Sequence, residues 1–289
     1  MGGPDLKTKI IIFFLLLIPL ITLAVYANMP EKRPHPQLLS DQTELQPPIA
    51  EAAETPEIDT NTSTENLIPF PAKGIPVLMY HSISTRPGNT LCVPETQFQE
   101  EVAWLYNNNY HTLSMEQLSQ ALVNGTKVPE NPIVITFDDG YADNYQAAWP
   151  VLKQYGFTAT FFIVTKNIGL TNSMTWDQLK ELADQGNTIG SHTVHHLDMT
   201  KLSNALQRSE IQDSKQILEE HLGISVTAFC FPSGQYWDTT LNYLSDAGYQ
   251  LGFTTRPGRV YHGNNQYKLH RVRIDGDMPL SGFIYQVSY

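Results

Sequence analysis

Cysteine is nearly absent: two residues, Cys92 and Cys230, in a chain of 289. Neither stands in a Cys-x-x-Cys pair, which excludes a disulfide-built scaffold and a zinc-ribbon or thiol-redox motif. Whether the two pair with each other is open at this level. Positive charge is sparse as well. The 18 lysines and arginines are outnumbered by 29 aspartates and glutamates, the net charge is −11, and the basic residues never cluster. The counterion release that drives nucleic-acid binding therefore has no source, and no nucleic-acid partner is expected. A Gly-x-Gly-x-x-Gly turn after the first strand is missing, which argues against a dinucleotide-binding open sheet, and no repeat of fixed period is found. What the chain does have is apolar and aromatic residues, 41% and 10%, enough to bury a core in one large domain or two small ones.

Three segments differ in texture. Lys7 and Lys9 precede an apolar run from Ile10 to Ala27, broken only by Pro19 and Thr22, the pattern of an export signal. Its length suits a membrane anchor, and Val25-Tyr26-Ala27 would serve as a cleavage site. Residues 1–27 are expected to be a signal peptide or, by preference, an uncleaved anchor. With the lysines inside, the rest of the chain lies on the extracytoplasmic side, membrane-anchored or secreted. Residues 28–73 hold eight of the 19 prolines and eight acidic residues against three basic ones, and are expected to be a disordered tether. Residues 74–289 are expected to form the folded domain.

In that last segment β-rich runs alternate with amphipathic stretches. Strands are expected at Ile75 to His81, Ile133 to Phe137, Thr158 to Thr165, Asn187 to His192, Val226 to Pro232 and Tyr249 to Thr255. Helices are expected at Glu95 to Asn107, Ser114 to Val123, Thr175 to Gln185, Ser203 to Leu222 and Thr239 to Ala247. Alternation at about thirty residues predicts parallel βα units and an α/β barrel, possibly an incomplete one. Working residues of such a barrel sit where strands end. The strand ends here deliver Tyr80-His81, Thr136-Phe137-Asp138-Asp139-Gly140, His192 with His195 and His196, and Phe231-Pro232-Ser233-Gly234.

Two histidines and a carboxylate suffice to hold Zn²⁺ or a similar divalent ion with positions left open. In an extended strand Asp138 and Asp139 would point to opposite sides, so one can bind metal while the other faces elsewhere in the site. His195 at i, i+3 and His196 at i, i+4 are both within reach as partners of His192 on a helical turn. A glycosidase built on paired carboxylates would leave the histidines unexplained.

Thr136-Phe137-Asp138-Asp139-Gly140 followed by Ser191-His192-Thr193-Val194-His195-His196 resembles the first two motifs of the polysaccharide deacetylases, carbohydrate esterase family four. The resemblance spans about residues 75–275 and includes Pro76 to Ile83 and Leu251 to Gly258. It implies a distorted (β/α)7 barrel that removes acetyl groups, N-linked or in some branches O-linked as in acetylxylan, from an acetylated polysaccharide. It also implies metal ligands at Asp139, His192 and His196, with Zn²⁺ expected and Co²⁺ or Ni²⁺ as alternatives. Asp138 is then the catalytic base, the Ser233 amide the oxyanion donor, and His195 a loop residue. Two departures stand out. The family's third motif usually opens with an arginine that tethers the base, and Cys230 stands there instead; Arg271, slightly ahead of Arg273, is expected to replace it, since alternate residues of the last strand share a face and both could point inward. The usual Leu-x-His near the C-terminus is here Leu269-His270, so His81 is expected to be the general acid in preference to His270, with a neighbouring carboxylate favouring its charged form. Trp176 and Trp237 are expected to pack rather than to bind sugar.

Overall fold

The computed structural model describes residues 66–289. The expected anchor over 1–27, and the expected tether up to residue 65, lie outside these residues. Among the described residues no helix is long and apolar enough to cross a membrane.

The chain runs β1 (Leu67–Ile68), β2 (Val77–Tyr80), α1 (Glu95–Asn107), β3 (His111–Thr112), α2 (Met115–Asn124), β4 (Val128–Pro129), β5 (Pro132–Phe137), α3 (Trp149–Gln154), β6 (Thr160–Ile163), α4 (Trp176–Asp184), β7 (Thr188–Ser191), α5 (Asn204–Leu222), β8 (Ala228–Cys230), α6 (Asp238–Asp246), β9 (Leu251–Pro257), β10 (Leu269–Arg273) and α7 (Leu280–Ser288). Seven strands close a parallel ring: β2 pairs with β5, each following strand with the next, and β10 pairs back onto β2. This is the (β/α)7 barrel that the alternation and the resemblance imply. Its distortion is specific. Residues 258–268, between β9 and β10, form no helix, and β3 adds to the ring only along the first residues of β5.

Local chemistry accounts for the helix limits. Ser114 with Gln117 and Thr175 with Gln178 form capping boxes at the starts of α2 and α4, Ser203 caps α5, and Gly223 ends α5 at φ 67°, a conformation costly for any residue with a Cβ. The elements that escaped the sequence pattern are the two-residue strands β1, β3 and β4, the π-turn Asn144–Ala148 with the six-residue α3 that it runs into, all too short for a periodic signal, and α7. The start of the domain is also earlier than the change in composition suggests. Leu67–Ile68 pairs antiparallel with Val128–Pro129, and Ile68 and Phe70 pack on the core, so residues 66–73 belong to the fold and not to the tether.

Alternation along the strands separates two faces. Val77, Val134, Phe162, Ala228, Cys230, Phe253 and Leu269 form one buried cluster, the barrel interior. Leu78, Ile135, Phe137, Phe161, Ile163, Phe229 and Val272 join the helices in another. Gly190 follows from this packing, since a Cβ there would lie 2.5 Å from the Phe162 ring.

One buried charge lies among the outer packing. Glu101 of α1 is fully buried; it accepts the Tyr80 hydroxyl at 2.7 Å and the Gln97 amide at 2.9 Å. Burial pushes its carboxyl up from 4.5 to about 7. A raised carboxyl keeps its proton in the folded state after the unfolded chain has lost it, so stability falls as pH rises from about 4.5 to 7. Glu101→Gln is expected to remove up to about 3 kcal/mol of that dependence. Denaturant titrations of both proteins at pH 5 and pH 8 check this; an unchanged difference between the two pH values would refute it.

Candidate active site

Asp138 follows β5 and continues its inward face beyond Val134 and Thr136. Arg271 reaches it from β10, the strand on the other side of β2, Nη1 to Oδ1 and Nη2 to Oδ2, both at 2.7 Å. The guanidinium is fully buried and its other donors are satisfied by the Thr254 carbonyl at 3.1 Å, Thr136 Oγ1 at 3.0 Å and Cys230 Sγ at 3.1 Å. Burial pushes the Asp138 carboxyl up, but the charge and hydrogen bonds of Arg271, helped by His192 and His81, hold it well below the usual carboxylate range. Cys230 is free and buried, as is Cys92. Burial pushes its thiol up against the pull of Arg271, so it keeps its proton and donates to Asp138 Oδ2 at 3.6 Å. Of the two expected arginines only Arg271 points inward. Arg273 stands at the rim, where β10 ends, and pairs with Asp275 at 2.8 Å.

Asp139 departs from the strand geometry assumed for it. It takes φ 74° and Gly140 φ 73°, so the backbone turns at once and both carboxylates face the same mouth instead of opposite sides. His192 ends β7. Its Nδ1 lies 2.8 Å from the Cys230 carbonyl, an acceptor only, which makes Nδ1 the protonated nitrogen and leaves the Nε2 lone pair free. Nε2 of His192 lies 3.5 Å from Asp139 Oδ1, and Nε2 of His196 lies 3.3 Å from the same oxygen. The two histidines do not share a helical turn: Thr193 at φ 69° and His196 at φ 55° fold the segment into a tight loop.

The three donor atoms of Asp139, His192 and His196 lie within 4.8 Å of one another, and the set of one carboxylate and two imidazoles suits a divalent ion. The alternative grouping of Asp138, His192 and Cys230 is already spent on internal partners, Asp138 on Arg271 and His192 Nδ1 on the Cys230 carbonyl. Among described residues other than glycine, seven have positive φ. Three are asparagines, which tolerate it; the other four are Asp139, Thr193, His196 and Ser233. Strain is thus concentrated where the donors converge.

His195 stands outside the donor set and is held by contacts of its own. Its Nδ1 pairs with Glu210 Oε1 at 2.6 Å, and Glu210 Oε2 accepts the backbone amides of Val194 and His195, each at 2.9 Å. Glu210 therefore anchors the ligand loop to α5, a role that nothing in the local sequence announced.

His81, which follows β2, places Nε2 3.9 Å from Asp138 Oδ2. Burial lowers its affinity for a proton, and Asp138 and Asp139 offset this only in part. The net direction is downward, opposite to the expectation from a neighbouring carboxylate alone. His270 lies between Leu269 and Arg271 on β10, hence on the outer face, and packs against Gly258. Ser233 sits at φ 52° in the turn Pro232–Gly234, and its amide finds no acceptor among the described residues. Gly234 is required there, because a Cβ would lie 2.2 Å from Thr255 Oγ1. Tyr141, missed in the sequence, stands beside Asp139; burial first and then the charge of this carboxylate push its hydroxyl up to about 12. Trp176 stacks on His221 at 4.2 Å, as packing. Trp237 is 55% exposed, so it does not pack as expected, although its indole donates to the Thr200 carbonyl at 3.2 Å.

A cleft of about 580 Å³ opens on the site at His81, lined by Arg86, Asn89, Tyr141, Gln146, Asn167 and Asn172 among others. A hollow of about 570 Å³ around Tyr106 and Tyr155 lies by the start of β5, at the other end of the barrel from the carboxylates and histidines. Volume alone therefore does not locate the chemistry.

Comparison with known proteins agrees with this geometry. A family model described as polysaccharide deacetylase matches residues 125–252. The Bacillus subtilis (strain 168) protein YxkH, assigned by name to the polysaccharide deacetylases, is 40% identical over 242 residues, 84% of this chain and 86% of its own. The poly-beta-1,6-N-acetyl-D-glucosamine N-deacetylase of Staphylococcus aureus (strain MSSA476) is 26% identical over 213 residues, 69% of this chain and 73% of its own. Among solved structures, Streptococcus pyogenes deacetylase PplD in complex with acetate superposes with a TM-score of 0.71 at 32% identity, covering 74% of this chain and 98% of that one.

Proposed function

Because the chain belongs to the polysaccharide deacetylase family, we propose that it removes N-acetyl groups from an extracytoplasmic or cell-wall polysaccharide, with Asp138 as base and a divalent ion, Zn²⁺ first, held by Asp139, His192 and His196. One observation carries the reading. A carboxylate clamped by a buried arginine through two 2.7 Å hydrogen bonds stands beside a separate carboxylate–bis-histidine donor set, so base and metal ligand are distinct groups at one mouth. The N-acetyl choice is supported by the staphylococcal relative, named as an N-deacetylase of poly-beta-1,6-N-acetyl-D-glucosamine. The location is supported by Lys7, Lys9 and the apolar run after them.

When bound, the ion would supply Lewis acidity toward the acetyl carbonyl and acidity to water. The chain's own residues do the rest. Asp138, held ionised by Arg271, takes the proton of the attacking water. The Ser233 amide, free of an internal acceptor, donates to the oxyanion that forms on the carbonyl oxygen. His81, whose Nε2 lies 3.9 Å from Asp138 Oδ2, gives its proton to the leaving amine, and acetate and the free amine separate.

The test is acetate release by the full chain from β-1,6- and β-1,4-linked N-acetylglucosamine oligomers, peptidoglycan and acetylxylan. Release from N-acetylated polymers is expected. Release from acetylxylan alone would make the enzyme an O-acetyl esterase, and no release from any of them, with metal supplied, would leave a glycan-binding module.

The donor set carries its own expectation. Elemental analysis should find one divalent ion per chain, retained in His195→Ala and depleted in Asp139→Asn, since a neutral amide is a poorer ligand for a dication. Equal retention in both variants would refute the ligand assignment. For His81, His81→Ala is expected to lower turnover on an N-acetylated sugar by about 10²–10⁴ and to flatten the alkaline limb of its pH profile. It should spare an aryl acetate, whose leaving group needs no proton. A loss in His270→Ala with His81→Ala unaffected would reverse the assignment.

A further inference from the structure

The segment that delivers Asp138 and Asp139 goes on to grip the residues that carry His81. After Gly140 it enters the π-turn Asn144–Ala148, a rare insertion that rotates the side chains preceding it relative to a regular helix. Asn144 is fully buried there. Its Nδ2 donates to the His81 carbonyl at 2.6 Å and to Asp143 Oδ1 at 3.1 Å. Asp143 accepts the Ser82 hydroxyl on Oδ2 at 2.6 Å and the Ile83 amide on Oδ1 at 3.1 Å. Three consecutive residues after β2 are thus held by two consecutive residues after β5. The arrangement is not the cheapest one, because Asn144 Oδ1 is buried without a partner, and such an acceptor costs stability.

The backbone of Ser82 is also paired with Leu91 and Val93, but that segment carries neither the base nor a metal ligand. His81 follows the last residue of β2, and its ring stands 3.9 Å from Asp138, beyond a hydrogen bond. An acid must be placed within a fraction of an ångström of the atom it protonates, and the grip on residues 81–83 is what ties its backbone to the segment carrying the base and a metal ligand.

We propose that Asp143 and Asn144 are positioning residues for His81, so that the single segment 138–144 supplies the base, one metal ligand and the placement of the acid. The proposal rests on the reading of His81 as the general acid. A merely structural grip would damage every activity alike; a positioning role damages the acid-dependent one.

The experiment compares Asp143→Ala, Asn144→Ala and Asp143→Asn, with His81→Ala in parallel, on an N-acetylglucosamine oligomer and on an aryl acetate, with metal content and melting temperature recorded. Asp143→Ala is expected to lower kcat on the oligomer about 10- to 100-fold, with KM, metal content and aryl-acetate turnover within about twofold. Asp143→Asn, which keeps the shape and an acceptor for the Ile83 amide, should recover most of the loss. Asn144 is fully buried, and should Asn144→Ala fail to fold, the half-buried Asp143 carries the test. Combined with His81→Ala, Asp143→Ala should cost nothing further, because the residue it positions is gone. Equal losses on both substrates, or losses that add to those of His81→Ala, would overturn the proposal. If His81→Ala itself fails to distinguish the substrates, the acid assignment falls and the proposal with it. If His81→Ala distinguishes them and Asp143→Ala does not, only the positioning role falls.

Discussion

Replacing Asp138 with asparagine is expected to cut turnover by about 10²–10⁴ while the protein keeps its metal. The amide cannot accept the water's proton, but Asp139 Oδ1, His192 Nε2 and His196 Nε2 still converge. The neighbouring substitution, Asp139→Asn, should reverse the order of events, losing metal first and activity as a consequence. Added Zn²⁺ should therefore restore part of the activity of Asp139→Asn and none of that of Asp138→Asn. Metal content by elemental analysis and turnover across a metal titration separate the two. Equal metal loss in both variants would contradict the division of roles.

Arg271→Ala is expected to have the largest effect on stability. It leaves Asp138, only 2% exposed, without its counter-charge, and removing one partner of a buried ion pair costs about 3–5 kcal/mol. For a domain of this size that is a fall of roughly 10 °C in melting temperature. Activity should change in a second way. With Arg271 present the base stays ionised far into acid; a group with a depressed pKa contributes stability that is lost only as pH falls through the folded value. Without Arg271, burial dominates, the carboxyl titrates higher, and the acid limb of the rate profile moves up into the measurable range. Arg271→Lys should not rescue the bidentate geometry. The double variant Asp138→Leu with Arg271→Met should recover stability but no activity, since a buried pair can be replaced by apolar residues far more cheaply than it can be halved. A double variant as unstable as Arg271→Ala would show that the loss arises from packing and not from the stranded charge.

How far the sequence could be read follows from the range of each signal. The strands and helices with strong local chemistry were legible: the continuous apolar run of β5, the capping boxes at Ser114 and Thr175, and Gly223 after α5. The π-turn at Asn144–Ala148 was not, because five residues carry no period. Asp138, Asp139, His192 and His196 were legible because they fall within two short motifs at strand ends. The geometry assigned to them was partly wrong. An extended strand would separate the two aspartates, whereas the left-handed backbone at Asp139 brings them together; a helical turn would pair the histidines, whereas a loop strained at Thr193 and His196 does so.

The sequence by itself determined the alternation of strands and helices, the residue types at the strand ends, and therefore the class of chemistry, since these depend on neighbours a few residues apart. Only the tertiary structure decided between residues far apart in the chain. Arg271 rather than Arg273 meets Asp138 because β10 stands next but one to β5, with β2 between them, and its inward face runs out at the rim. His81 rather than His270 faces the base because strand parity turns one ring inward and the other out. Cys230 stands where an arginine is usual because the guanidinium arrives from another strand, and its buried thiol at 3.1 Å leaves room for it and a weak acceptor. Each of these choices depends on which side chains share one small interior, and that is fixed when the seven strands close.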